Sequence, residues 1–267
     1  GNGIGVDGVA DNVQIMTIRA VPDGDEYDKD IALAIRYAVD NGAKVINMSF
    51  GKSFSPEKKW VDEAVKYAES KDVLLVHAAG NEAANTDEKE NYPNPFLKPS
   101  NTKAPNWLTV GASSDPHIKD SYVADFSNYG KKSVDVFAPG VKIYSTIPGG
   151  NQYGSLQGTS MASPVVAGIA GLIRSYYPGL TAKQVRTAIE KSVTVSDNPI
   201  SVTKPGTKEK VFITELSATG GIVNAYNAVQ IAAGMDATIA PKEEKKPVAK
   251  PVNKLPKSTF KNKPVKQ

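Results

Sequence analysis

The residues best suited to chemistry lie in Gly158-Thr159-Ser160-Met161-Ala162-Ser163-Pro164. A glycine, two hydroxyls and small residues lead here into an apolar run that ends at Tyr177. The proline is expected in the first turn of a helix, where N–H groups have no intrahelical partner. Ala162, Ala167, Gly168, Ala170 and Gly171 make that helix slim enough to bury against close neighbours. A serine at the mouth of such a helix sits at the positive end of its dipole, among free backbone N–H groups. A hydroxyl nucleophile and part of an oxyanion site can be built together from these parts. On local pattern alone, the same residues also spell a serine N-cap on a buried helix.

Acyl transfer by a serine further needs a base, an orienter for that base and donors for the oxyanion. Asn81, at the end of an apolar run over residues 73–79, carries an amide that can donate to a developing alkoxide without titrating. A plain turn asparagine after Gly80 is the competing reading. Histidine is scarce, with His77 and His117 the two in the chain. His77 lies inside the apolar run, four residues and about 13 Å of strand before Asn81. A buried, hydrogen-bonded ring is expected there. His117 stands in a polar stretch and reads as a surface loop residue. Cysteine is absent, which excludes disulfides, thiolate zinc sites and a cysteine nucleophile.

The elements that must position these groups alternate. Residues 13–18 are a strand candidate, and Asp28 or Asp30 can cap a helix that stops at Asn41-Gly42. Residues 43–50 form the next buried strand. Ser55-Pro56 opens a helix with Trp60, Val61, Ala64, Val65 and Ala68 on one face. Strands over 73–79 and 107–112 follow, separated by a long polar insertion at 82–106. Short strands and glycine turns occupy 121–157, and Thr181-Ala182-Lys183-Gln184 is a capping-box signature for a helix ending near Lys191. A strand at 211–214 and a helix at 225–233 complete the pattern. Continuous apolar strands alternating with helices predict an α/β fold, doubly wound, with a mostly parallel sheet covered on both faces.

Several of these stretches, in this order, resemble the subtilisin-like serine proteases, the subtilase family. They are Val45-Ile46-Asn47-Met48-Ser49-Phe50-Gly51, Val76-His77-Ala78-Ala79-Gly80-Asn81-Glu82, Phe137-Ala138-Pro139-Gly140, Tyr144-Ser145-Thr146 and the serine stretch itself. The resemblance covers residues 1–192 and implies a serine endopeptidase with Ser160 as nucleophile and Asn81 in the oxyanion hole. It also implies that Ser49-Phe50-Gly51 and Ala78-Ala79-Gly80 line the specificity pocket. Ser49, Phe50, Gly51, Ala79, Gly80 and Thr159 are thus the expected substrate-binding residues, although the Thr159 hydroxyl, like that of Ser163, also reads as structural. Extended substrate would pair with these edges by main-chain hydrogen bonds, with a bulky apolar residue favoured in the pocket. Phe50 departs from the smaller aliphatic residue expected, and Val165 stands where many members carry a non-catalytic histidine.

The family's order is Asp, His, Ser, and its aspartate and histidine motifs have no match here; Asp23-Gly24 is a turn in the wrong place. Ile4-Gly5-Val6 and Gly8-Val9-Ala10 match the segment just after the histidine helix, so the sequence is expected to begin past that histidine and to be inactive alone. No cofactor is required by the chemistry. Asn2, Ile4 and Val6 fall where some members bind a structural calcium. Members are commonly secreted or cell-envelope enzymes, so a protein or peptide substrate and a pro-segment are the implied partners. A scaffold that lost its base and now binds peptides is the alternative, and the presence of both Ser160 and Asn81 argues against it. A nucleophile elbow would need aspartate and then histidine after the serine, and no histidine follows Ser160.

The net charge of +4 is carried by the C-terminus, since residues 241–267 hold nine Lys and two Glu. A nucleic-acid partner is therefore not expected of the body of the protein, and no run is long enough for a membrane span. The chain divides into a partial peptidase domain, 1–235, and a Lys/Pro-rich tail, 236–267, expected to be disordered because it cannot bury enough apolar surface to offset ordering entropy. Amide resonances of the tail should therefore cluster at random-coil shifts, and wide dispersion would contradict this reading.

Overall fold

The computed structural model describes residues 3–21, 24–115, 122–194 and 200–236. His117 and the Lys/Pro-rich tail beyond Asp236 lie outside them. In chain order the elements are α1 (Asp28–Asp40), β1 (Val45–Met48), α2 (Lys58–Ser70), β2 (Leu74–Ala78), β3 (Phe96–Leu97) and β4 (Thr102–Lys103). Then come β5 (Trp107–Ser113), β6 (Val136–Pro139), β7 (Ile143–Ile147), β8 (Gln152–Leu156), α3 (Thr159–Tyr176), α4 (Ala182–Lys191), β9 (Ser201–Thr203), β10 (Lys210–Phe212) and α5 (Ala225–Asp236).

The central sheet has the order β1-β2-β5-β6 and is parallel throughout. Successive residues of a strand point to opposite faces, and both faces here are apolar. Leu74, Val76, Leu108, Val110 and Val136 pack with Val166, Ile169, Val185 and Ile189 under α3, α4 and α5. Leu75 and Trp107 turn the other way, onto Ile31 and Ile35 of α1 and Val61 and Val65 of α2. The fold is the doubly wound α/β arrangement expected. Three antiparallel pairs, β3–β4, β7–β8 and β9–β10, sit outside this sheet.

Residues 13–18 do not form the expected strand. Extended backbone becomes a strand only when a neighbour takes its N–H and C=O groups, and no sheet strand among the described residues reaches this segment. The chain instead enters this segment across α3, with Val9 and Val13 over Gly168 and Gly171. A methyl group on Gly168 would lie 2.9 Å from Val9, so glycine there permits the close approach. Ile15 is left 87% exposed. On α2 the apolar face is Val61, Ala64, Val65 and Ala68, while Trp60 is 43% exposed.

The N-cap of α1 is Tyr27 rather than an aspartate. Asp28 is instead the first helical residue and is buried, accepting from Ser55 Oγ at 2.7 Å, Glu57 N at 2.8 Å and Lys52 Nζ at 2.7 Å. Burial alone would raise its pKa, but these bonds outweigh burial and hold the carboxyl below its ordinary value. The result ties the start of α1 to the entry of α2. At α4 the capping box forms as read, with Gln184 N–H on Thr181 Oγ1 at 3.2 Å and Thr181 N–H on Gln184 Oε1 at 2.9 Å.

Asp135, at the entry to β6, is fully buried and accepts from Thr109 N at 2.8 Å, Lys103 Nζ at 2.5 Å and Arg186 at 3.2 Å. It locks β5, the β4 loop and α4 together. Asp135→Ala takes the buried partner from Lys103 and leaves Arg186 with Glu190 alone, and chemical denaturation should register a loss of roughly 3 kcal/mol, the low end for a broken buried pair because both cations reach solvent.

Candidate active site

The carboxyl end of β2 and the amino end of α3 meet at Asn81. Gly158, the N-cap of α3, has φ 146° and ψ 163°, a region that favours glycine, and donates its N–H to Gly140 O at 2.8 Å. The Asn81 amide lies against it, 3.6 Å from where a Cβ would sit. Asn81 Oδ1 accepts from Thr159 N at 2.8 Å and from Thr159 Oγ1 at 3.1 Å. A backbone N–H can only donate, so the amide oxygen must be the atom turned toward Thr159, and Nδ2 is left pointing away from it. The Thr159 hydroxyl also accepts from Gly80 N at 3.0 Å. Thr159 is fully buried, so its side chain positions Asn81 and Gly80 and does not face a substrate as expected.

Ser160 is half-buried, and its Oγ donates to the Ser49 carbonyl at 3.2 Å. Its backbone N–H, in the first turn, has no acceptor within the chain among the described residues. The helix begins at Thr159, so Pro164 falls in the second turn rather than the first. Proline there removes the N–H that would meet the carbonyl four residues earlier, which is that of Ser160. The vacant carbonyl is taken by Ser49, whose hydroxyl donates to Ser160 O at 2.9 Å. Asn47 Nδ2 donates to Ser49 Oγ at 3.0 Å, and Asn47 Oδ1 accepts from buried Ser163 at 2.7 Å. A closed polar circuit thus joins β1 to the first turns of α3.

His77 belongs to the other face of the sheet. It is buried beside the rings of Phe50, at 6.4 Å, and Trp107, at 5.4 Å. Its Nε2 lies 2.7 Å from the Phe50 carbonyl, which can only accept, so Nε2 carries the proton. Desolvation lowers its pKa to about 4, against the smaller opposing effect of that bond. The Phe50 ring is half-buried and packs inward with this cluster.

The ends of β1 and β2 run side by side, with Met48 opposite His77, and continue as Ser49-Phe50-Gly51 and Ala79-Gly80. Three asparagines that the sequence did not single out hold these ends. Asn47 is the first, in the circuit to Ser163. Asn128 is buried, donating to Ala79 O at 2.9 Å and accepting from Glu82 N at 3.1 Å and Ala84 N at 2.8 Å. Asn91 donates to the same Ala79 carbonyl at 3.0 Å. Asn128 and Asn91 lie in polar loop sequence, where only tertiary contacts give them a role. Ile4 and Val6, of the suggested calcium site, are exposed, and Asn2 is outside the described residues.

The chain matches the subtilase family over residues 1–225. It belongs to that family. Among curated relatives, it is 39% identical over 231 residues to the thermophilic serine proteinase of Bacillus sp. (strain AK1), covering 85% of this chain and 48% of that protein. It is 38% identical over 230 residues to thermitase of Thermoactinomyces vulgaris, covering 86% of this chain and 70% of thermitase. Among solved structures, proteases from Pseudoalteromonas arctica PAMC 21717 superpose with a TM-score of 0.67 at 29% identity, over 86% of this chain and 66% of theirs. This subtilase chain thus spans only part of the length of the relatives it matches.

The buried histidine gives a pH signature. Below pH 6.5 the unfolded chain binds a proton at His77 that the folded chain refuses until about pH 4, so stability falls as pH falls through that window. The difference in unfolding free energy between the natural chain and His77→Gln should change across it by about 1.4 kcal/mol per pH unit. A difference independent of pH would contradict the buried neutral ring.

Proposed function

We propose that this subtilase is a serine endopeptidase acting on protein or peptide substrates. Ser160 Oγ attacks the scissile carbonyl, its proton passes to a base, and the amine leaves with that proton to give an acyl-enzyme that water then hydrolyses. The observation that carries the reading is the pair of unclaimed donors beside the nucleophile. Asn81 Nδ2 is turned away from Thr159, and the Ser160 N–H is free in the first turn of α3. Two such donors, together with the positive end of the helix dipole, suit an oxygen that gains charge as the carbonyl becomes tetrahedral.

The base is proposed to come from outside residues 1–267. His77 is held on the opposite sheet face by the Phe50 carbonyl and is desolvated, and His117 stands in a separate polar stretch. On this reading the 267-residue chain is unreactive by itself, because a serine hydroxyl without a base is a poor nucleophile at neutral pH. The same lack of a base is what would favour a peptide-binding scaffold without catalysis. Export from the cell and a pro-segment are further expectations of this reading.

Labelling by a serine-directed fluorophosphonate separates these possibilities. The 267-residue chain should stay unlabelled. A chain extended ahead of Gly1 by aspartate and histidine motifs should label, and its Ser160→Ala variant should not. Strong Ser160-dependent labelling of the short chain would overturn the assignment of the base, and no labelling of the extended chain would leave the scaffold. In the extended form Asn81→Ala should lower turnover roughly 10²–10³-fold with substrate affinity little changed, a magnitude carried over from the oxyanion donor of a subtilisin. A loss confined to affinity would make Asn81 a binding residue.

A further inference from the structure

The Asn81 backbone makes no hydrogen bond within the chain among the described residues, so the peptide groups on either side set its place. Upstream, Gly80 N–H is held by Thr159 Oγ1 at 3.0 Å and Gly80 O by the Asn128 N–H at 3.0 Å. Downstream, the Glu82 and Ala84 N–H groups converge on Asn128 Oδ1, at 3.1 and 2.8 Å. Neither has another acceptor among the described residues. Between them Ala83 lies in the left-handed region, with φ 51°, which a residue carrying a Cβ adopts at a cost. Two N–H groups that flank such a residue form a concavity suited to an oxygen, and one buried side chain fills it. Asn128 is itself well anchored. Ser127 Oγ donates to Asn128 O at 2.9 Å while accepting from Ala112 N of β5 at 2.9 Å. A methyl group on Gly80 would lie 2.3 Å from Asn128 Nδ2, so glycine there admits the amide. Asn128 Nδ2 donates to Ala79 O at 2.9 Å and to Glu82 Oε2 at 2.6 Å. Asn91 also donates to Ala79 O, so the bond to that carbonyl is duplicated, while the acceptor half of Asn128 is not.

We infer that Asn128 is a positioning residue for Asn81: its Oδ1 fixes the turn over residues 82–84 and thereby aims the Asn81 amide nitrogen beside Ser160. This rests on the proposal that Asn81 Nδ2 donates to the oxygen that gains charge. Asn128 is 1% exposed and meets no substrate; it acts through the backbone that carries Asn81. Thr159 restrains the Asn81 side chain at its oxygen alone. An amide tethered at one atom still swings about that atom when the backbone beneath it shifts. The two N–H groups gathered by Asn128 remove that freedom. A donor already aimed needs no reorganisation as charge develops, whereas a displacement of about 1 Å is enough to forfeit much of its effect.

The test reads the amide directly and then the chemistry. In proton–nitrogen NMR spectra of the 267-residue chain, the Asn81 side-chain signals, identified by their loss in Asn81→Ala, should form one sharp pair. Asn128→Ala should broaden that pair or move it toward free-amide shifts. Asn106→Ala removes another buried asparagine, bonded to Val73 O at the amino end of the sheet, and should leave the pair in place. In the extended chain, hydrolysis of a peptide p-nitroanilide should lose roughly 10–100-fold in kcat on Asn128→Ala, with KM changed less than about threefold. In the Asn81→Ala background the same substitution should cost less than about twofold more, because the donor it aims is gone. Asn128→Asp keeps an acceptor for both N–H groups, and Glu82→Gln takes away the facing carboxylate. The two together should match Glu82→Gln alone within about threefold in kcat and retain the Asn81 signals. Should Asn128→Ala not fold, that combination decides by itself. Asn81 signals untouched by Asn128→Ala, equal losses of kcat with and without Asn81, a loss confined to KM, or failure of the Asn128→Asp rescue would each overturn the inference. An extended chain without turnover would defeat the peptidase reading alone, and the Asn81 signals would still decide this one.

Discussion

Everything about the site depends on one acceptor, the Asn81 amide oxygen, taking two hydrogen bonds from Thr159. That arrangement fixes which end of the amide faces inward, sets the start of α3 against the end of β2, and leaves the amide nitrogen directed outward. Burial of Thr159 protects both bonds from competition by water, and its hydroxyl extends the restraint to the Gly80 N–H. A turn asparagine would have served as a cap; here the helix caps the asparagine.

The second restraint comes from what Pro164 removes. A helix interior normally consumes its own carbonyls, and a proline in the second turn releases one. The released carbonyl belongs to Ser160, and Ser49 claims it, so that Ser49 and Ser160 exchange bonds in both directions, hydroxyl to carbonyl each way. Proline one turn after Ser160 is therefore a means of cross-linking helix to sheet, with Asn47 and Ser163 closing the circuit.

Much of this was legible from the chain. Apolar runs at 73–79 and 107–112 announced buried parallel strands, Thr181 and Gln184 announced their capping box, and the serine stretch and Asn81 stood out by their surroundings. What failed was what depends on partners distant in sequence. Residues 13–18 have strand composition but no ladder to join, Trp60 fits the helical period yet lies past the edge of the buried face, and Asp28 ties two helices together where a cap was expected. Asn91 and Asn128 were invisible because polar loop residues give no periodic signal; their meaning lies in Ala79, the backbone carbonyl they share.

The position of β1 has a dynamic consequence. Among the described residues β1 pairs only with β2, whereas β2 and β5 each have a neighbour on both sides. Amides on its outer side exchange with solvent through small local openings, while those of the central strands wait for larger ones. Because Asn47, Ser49 and the Phe50 carbonyl all lie on or just beyond this strand, fraying of four residues at one margin would disconnect the polar circuit of Ser160 and withdraw Met48 from the layer under α1 and α2, while the pairing of β2, β5 and β6 persists. The setting of Ser160 thus forms a low-stability unit resting on a high-stability one.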